Sequence, residues 1–497
     1  MGAKALHPRQ IAAGVGPQPG MTAYHWIFLA LATVAEAATL LRVILRPHRD
    51  PAARLAWLVV VIVLPGLGIP AYMLWGDTRL IRRRRLHGLG VEAALPRPPA
   101  DPAGSAAIAT SPWQPPFALA ASVNGLAATT GNHARIAADN RAAIAAIIAD
   151  IEAAQASVHV CFYIWLDDES GAALAQALIR AARRGVAVRV LADALGSRRF
   201  LRSAHWQALR DAGVDAREAL PVGNLLWTLI RGRVDLRNHR KAVVIDNAIA
   251  WCGSQNAADP EFRIKPRFAP WVDVMTRWEG PVARQWQFLF AADWMAEGGD
   301  DLSALLEQPL LACGEGVVAQ AIGTGPTVAY GAMNACFAAL IHAARRSLTI
   351  TTPYFVPGEQ VLTALVSAAR RGVAVTLIVP RRNDSRFVAA ASRSYYPSLL
   401  EAGVQIFEFL PGLLHAKTMV ADDSAGIIGS ANLDRRSFEL NFENNILFAD
   451  ATLARDLAAR QREWLGQCLA ITPAMAARTP LHKRLWRNTL AMMSPLL

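Results

Sequence analysis

Hydrophobic positions are distributed unevenly along this chain, and the first eighty residues hold two apolar stretches. Trp26–Leu45 runs 20 residues with only Glu36 and Arg42 charged, which predicts a helix able to cross about 30 Å of hydrocarbon. Leu55–Trp75 carries no charge, and Pro65, Gly66, Gly68 and Pro70 predict a kink or a re-entrant path. From 91 to 125 the pattern gives way to Pro and Ala (Pro96, Pro98, Pro99, Pro102, Pro112, Pro115, Pro116), which reads as a tether.

Regular periodicity then appears twice. Ser157–Ile164 and Ser347–Phe355 are short β-rich runs, each followed by an amphipathic helical period. Each helix ends in the same eight residues, Ala181–Val188 and Ala368–Val375, where Arg-Arg-Gly followed by alternating Val predicts a helix stop and a strand start. A second apolar strand follows in each copy, at Ala242–Ile245 and Thr418–Ala421. The expected fold class is α/β: two similar α/β domains with mixed sheets related by a pseudo-twofold, preceded by a two-helix transmembrane hairpin. The expected boundaries are a tail (1–20), the hairpin (21–78), a basic and Pro/Ala-rich linker (79–130), and two domains (131–305 and 306–497).

Composition narrows the class. With 497 residues, 53% hydrophobic and 18% charged, the chain can bury large cores and is not a disordered sequence. Its five cysteines are scattered and form no disulfide framework or zinc ribbon. A net charge of +12 implies an anionic partner: nucleic acid, acidic lipid or a phosphorylated substrate. Basic residues also orient the hairpin. Arg46, Arg49 and Arg54 lie between the spans, against Lys4, Arg9, Arg79 and Arg82–Arg85 outside them. That bias places both ends, and the two domains, in the cytoplasm as a multi-pass inner-membrane protein. Ala35-Glu36-Ala37 resembles a signal-peptide cleavage site, but the long preceding region and the second stretch argue against cleavage.

The candidate chemistry is also duplicated. His239, Lys241 and Asp246, then Gly253, Ser254 and Asn256, are matched by His415, Lys417 and Asp422, then Gly429, Ser430 and Asn432. Each copy reads H-x-K-x4-D and then G-S-x-N, and of eleven histidines only these two begin it. The chain has only five lysines, so two of them at this spacing point to a demand for a compact ammonium against a phosphate oxygen. On a strand, residues two apart share a face, so each histidine and its lysine are expected to point together. Two facing sets make one pocket in which one imidazole attacks phosphorus and the other protonates the leaving oxygen. His159 and His342 are read instead as core histidines.

On these motifs the chain resembles the phospholipase D superfamily and, within it, the bacterial cardiolipin synthases. The resemblance extends to Tyr163-Ile164, Arg237–Lys241, Trp271–Asp273, Thr352–Pro357, Arg393–Tyr396, Leu433–Phe438 and Leu440–Glu443. It implies a phosphohistidine intermediate with no metal and no cofactor, His239 as nucleophile and His415 as acid then base. The reverse assignment is equally compatible with the motifs. By the same resemblance Lys241, Lys417, Asn256, Asn432, Ser254 and Ser430 hold substrate, while Asp273 and Glu443 orient the histidines. Asp246 and Asp422 are grouped with the catalytic residues as members of the motif, as its structural partners rather than as proton carriers. The implied reaction joins two phosphatidylglycerols into cardiolipin with release of glycerol, without nucleic acid as a partner. Hydrolysis, phosphatidylethanolamine as co-substrate, and a membrane-anchored nuclease are the alternatives. Leu220–Arg233 and Leu481–Leu497 mix apolar and basic residues and are candidates for contact with the lipid interface.

Overall fold

The structure, a computed structural model, describes residues 23–45, 51–76, 79–221, 236–309, 314–326 and 331–493. Leu220–Arg233 therefore lies, all but its first two residues, outside the described residues, as does Cys313. The chain divides into an N-terminal unit ending at Asp77 and a larger unit beginning at Thr78.

In the N-terminal unit the first apolar stretch is the helix Ala23–Leu45. Its segment Tyr24–Leu45, 22 residues with mean hydropathy 1.9, is long and apolar enough to cross a membrane. The second stretch is not one continuous helix. It is Pro51–Val63, then Pro65–Ala71, then a π-helical turn over Tyr72–Gly76. Pro65 starts the middle piece in a first turn, where its missing N–H costs nothing. Gly68 lets that piece lie against the one before it, since a Cβ there would sit 2.5 Å from the Val60 carbonyl oxygen. Trp57 and Tyr72 meet edge to face across this contact, with centroids 5.3 Å apart.

The larger unit is organised on one long mixed sheet. Its first half supplies β1 (Thr129–Ile136), β2 (Ser157–Phe162), β3 (Ala187–Asp193), β4 (Asp215–Ala219), β5 (Lys241–Ile245), β6 (Ile249–Gly253) and β7 (Met275–Glu279). The second half supplies β8 (Val317–Thr324), β9 (Ser347–Thr351), β10 (Ala374–Pro380), β11 (Gln405–Phe409), β12 (Thr418–Ala421), β13 (Ala425–Gly429), β14 (Asn441–Ala449) and β15 (Cys468–Ile471). From the central antiparallel pair β1–β8, one side runs β7-β6-β5-β2-β3-β4 and the other β14-β13-β12-β9-β10-β11, closed by β15. In both halves the steps β2-β3-β4 and β9-β10-β11 are parallel and those toward the centre antiparallel, while the edge strand β15 joins β11 antiparallel.

The repeated eight residues do what their pattern predicts. Helix Glu169–Arg183 leads through Gly185 (φ +90°) into β3, and helix Glu359–Arg370 through Gly372 (φ +89°) into β10. A side chain with a Cβ would be strained at either glycine. The register Val158↔Val188 and Val160↔Val190 sets buried valines side by side in the core that helix Glu169–Arg183 covers with Leu174, Ala177, Leu178 and Ala181.

The Pro/Ala-rich tether turns out to be largely folded. Helices Pro102–Ala109 and Gln114–Asn124 begin at prolines in their first turns, and Ile108, Trp113, Phe117 and Ala120 are buried with Met333, Phe337 and Leu340 of the second half. Another core spans both halves, joining Val244, Trp278 and Trp286 to Ala319, Ile428, Phe448 and Trp464. His159 is a core histidine, stacked on Phe290 and bonded through Nδ1 to Gln287. His342 is not; it is exposed at the end of its helix, one residue past the buried Ile341 and so off the buried face.

Candidate active site

Each motif histidine stands just before a strand and is tied to the other half of the molecule. Arg237-Asn238 pairs in parallel with Asn441-Phe442, and Leu413-Leu414 with Trp271-Val272. The His239 amide donates to the Phe442 carbonyl (2.9 Å) and the His415 amide to the Val272 carbonyl (2.7 Å). The residue that follows each acceptor is the acid. His239 Nδ1 lies 2.8 Å from Glu443 Oε2, and His415 Nδ1 lies 2.6 Å from Asp273 Oδ1. Both bonds cross between the halves, and all four side chains are buried.

The lysines converge with their histidines by a different route from strand alternation. Residues 239–240 and 415–417 are not β-structure, and the amides of His239, His415 and Ala416 are committed instead to carbonyls of the other half. Lys241 Nζ donates back to the His239 carbonyl (2.5 Å) and Lys417 Nζ to the His415 carbonyl (2.6 Å). Lys417 Nζ also lies 2.8 Å from His415 Nε2. An ammonium has no acceptor, so Nε2 receives that bond and the ring proton sits on Nδ1, facing Asp273. Tyr163 packs edge-on to His239 (4.9 Å) and Trp271 beside His415 (4.7 Å).

Three expectations for the motif residues change. Asp246 and Asp422, grouped with the catalytic residues, sit five residues beyond their lysines, about 16 Å at strand rise. Each instead holds three backbone amides: those of Gln155, Ala156 and Ser157, and those of Arg345, Arg346 and Ser347. They pin the start of β2 and β9. Ser254 and Ser430, expected on the substrate, donate to the carboxylates Asp273 (2.6 Å) and Glu443 (2.5 Å). Asn256 Oδ1 accepts from the Ile164 amide, so only its Nδ2 is uncommitted to that bond. Asn432 Nδ2 donates to Ser437 Oγ, while its buried Oδ1 has no hydrogen-bond partner among the described residues. Two further side chains belong to the network: Asn441 donates to Glu443 (3.1 Å), and Asn140 accepts from the Asp273 amide (3.1 Å). Asn441 was legible as the residue two before Glu443 on one strand; nothing in the spacing marks Asn140.

Burial sets the electrostatics. Burial holds His239 well below its ordinary pKa, and the positive charges of Lys241, Lys417 and His415 push it the same way. Burial takes His415 down to about 4 against the opposing pull of Asp273. Lys241 falls to about 8 and Lys417 well below its usual value, both chiefly by burial. The acids diverge. Burial pushes Glu443 up to about 7, whereas for Asp273 burial is outweighed by His415, Lys417 and Ser254, leaving it at about 2. Four basic groups around two carboxylates favour an incoming phosphodiester, whose charge raises the imidazole and ammonium pKa values again. Among the described residues no cluster of three or more His, Cys, Asp or Glu side chains is placed to hold a metal ion.

A duplicated mixed α/β sheet with paired histidine–lysine sets defines an enzyme of the phosphatidyltransferase class within the phospholipase D superfamily. Comparison with known proteins narrows this. The chain matches the family described as "Cardiolipin synthase, PLD-like domain" over residues 147–291 and 337–464, and "Phospholipase_D-nuclease N-terminal" over 37–76. It is 36% identical to cardiolipin synthase A of Edwardsiella ictaluri (strain 93-146) over 95% of this chain and 97% of that protein. It is 35% identical to cardiolipin synthase A of Serratia proteamaculans (strain 568), over 96% of this chain and 99% of that one. Among solved structures, phosphatidylserine synthase of Haemophilus influenzae Rd KW20 shares the fold, with a TM-score of 0.55 at 15% identity over 73% of this chain and 95% of that one. The chain belongs to the bacterial cardiolipin synthase family.

Proposed function

We propose that this enzyme transfers a phosphatidyl group from one phosphatidylglycerol to the terminal hydroxyl of another, giving cardiolipin and glycerol. His239 Nε2 attacks the phosphorus of the first lipid while the bond from phosphorus to the glycerol oxygen breaks. His415, an imidazolium once the bound phosphodiester has raised its pKa, delivers its Nε2 proton to that oxygen, returns to the neutral ring, and glycerol leaves. His415 then takes the proton of the second lipid's hydroxyl as the oxygen attacks phosphorus and the phosphorus–nitrogen bond opens. Lys241, Lys417, Asn256 and Asn432 supply positive potential and donors to the phosphoryl oxygens as charge builds. One phosphodiester replaces another, so no nucleotide is consumed.

The observation that carries this reading is the crossed pair of imidazole–carboxylate bonds, in which neither half completes a site alone. The divergence of the two acids supports the assignment of roles. Asp273, ionised down to about pH 2, is the better counter-ion for an imidazolium at His415. Cardiolipin as the product also rests on the names of the relatives. The two halves are related by a pseudo-twofold, and the domains run 131–305 and 306–497. The N-terminal unit enters the inner membrane through Tyr24–Leu45, with the broken second stretch completing a hairpin and the catalytic halves on the cytoplasmic side. The test is purified protein with labelled phosphatidylglycerol, phosphatidylethanolamine and DNA offered in parallel. Cardiolipin with equimolar glycerol is the expected outcome. Phosphatidic acid as sole lipid product, or DNA cleavage without lipid turnover, refutes it.

A further inference from the structure

The C-terminal helix Leu481–Met493 faces the wrong way for a helix whose only neighbours are protein. It packs on helix Arg386–Ser394, burying Leu490 and half-burying Arg487, which donates to Thr479 Oγ1. Its large apolar side chains point outward instead: Leu481 is 68% exposed, Leu485 60%, Trp486 61% and Met492 76%. At 100° per residue Leu481, Leu485 and Met492 fall within about 40° of one another with Arg484 about 60° to one side, while Trp486, also exposed, lies about 100° round on the other. An amphipathic helix that serves only a protein core turns its apolar stripe inward. A contiguous outward stripe marks a binding surface.

Charge selects the occupant. After Glu463 the chain has no Asp or Glu, while Arg478, Lys483, Arg484 and Arg487 lie within or just before this helix, with His482 beside them. Lys483 and Arg484 are exposed. A second copy of the same face brings the same positive charges and is repelled. A layer of anionic phospholipid offers hydrocarbon for the stripe and phosphates for Arg484 on its border and for the exposed Lys483 in the same first turn.

We infer that the outward face of Leu481–Met493 is an interfacial docking surface that lays Leu481, Leu485, Trp486 and Met492 into the headgroup region of an anionic bilayer. This second attachment, on the catalytic unit itself, does not depend on which lipid is the phosphatidyl donor. The test places the photo-reactive residue p-benzoylphenylalanine at 485 or 492 of the full chain, reconstituted into vesicles of phosphatidylcholine with tritiated phosphatidylglycerol. These positions are exposed, so the substitution leaves the fold alone. Illumination is expected to give lipid adducts at both positions. Replacing Lys483 and Arg484 by Gln should lower the yield about fivefold for each charge removed. Chain-to-chain adducts, no lipid adduct, or a yield indifferent to the two charges overturns the inference.

Discussion

His239 and Glu443 are 204 residues apart in sequence and 2.8 Å apart in space, each contributed by a different half of the sheet. With His415 and Asp273 they form a reciprocal exchange: each half lends its carboxylate to the other's imidazole. Duplication followed by this exchange makes the two motifs parts of one site.

The exchange predicts that the acids matter through the rings they hold. Asp273→Asn removes the negative charge that holds the His415 Nδ1 proton and stabilises its imidazolium. Loss of kcat by about 10²–10⁴-fold is expected with little change in KM. Steady-state kinetics on folded protein checks it; a loss confined to KM would place Asp273 on the substrate instead.

Ser254 and Ser430 separate two roles that the G-S-x-N pattern leaves merged. A hydroxyl bonded to a buried carboxylate contributes about 1.5–3 kcal/mol, so Ser430→Ala should lower kcat about 10–100-fold by loosening Glu443. KM should hold, because the hydroxyl faces the acid. A raised KM at constant kcat restores the substrate-binding role expected from sequence.

Asp246 holds three backbone amides at the start of β2. Asp246→Ala leaves them without their acceptor and should cost about 2–4 kcal/mol of stability. The fraction that remains folded should turn over at the normal rate. Loss of turnover in well-folded protein would return Asp246 to the chemistry.

Stability in acid follows from the buried groups. The unfolded chain binds a proton at His415 below about 6.5 that the folded site refuses until about 4, so stability falls as pH drops through that window. Glu443 acts oppositely. Its folded pKa of about 7 exceeds the unfolded 4.5, so its contribution is full below 4.5 and is lost as pH rises through 7. The two offset between pH 4.5 and 6.5. Glu443→Gln should therefore steepen acid destabilisation there, read from urea midpoints at stepped pH. An unchanged or shallower slope contradicts these environments.

Much of this was legible in sequence because repetition is legible. The helix–Gly–strand junctions at Gly185 and Gly372 and the twin histidine–lysine sets follow from local rules. The crossed bonds do not, since no local pattern says which half's acid meets which ring. Asp246 shares the motif with Lys241 but not its place in space, because a whole strand separates the two. The prolines of 102–124 suggested an extended tether, yet proline in a first helical turn is compatible with the buried Trp113 and Phe117 that dock those helices.

The central claim is that two imidazoles from different halves act in sequence on one phosphorus. Its most direct measurement is the fate of labelled phosphate in His415→Ala and His239→Ala given a phosphatidyl ester with an activated p-nitrophenol leaving group. Such a leaving group needs no proton, so His415→Ala should release one equivalent of nitrophenol in a burst and retain an alkali-stable phosphate on His239. His239→Ala should show neither. Label on His415, or equal bursts from both variants, would contradict the account.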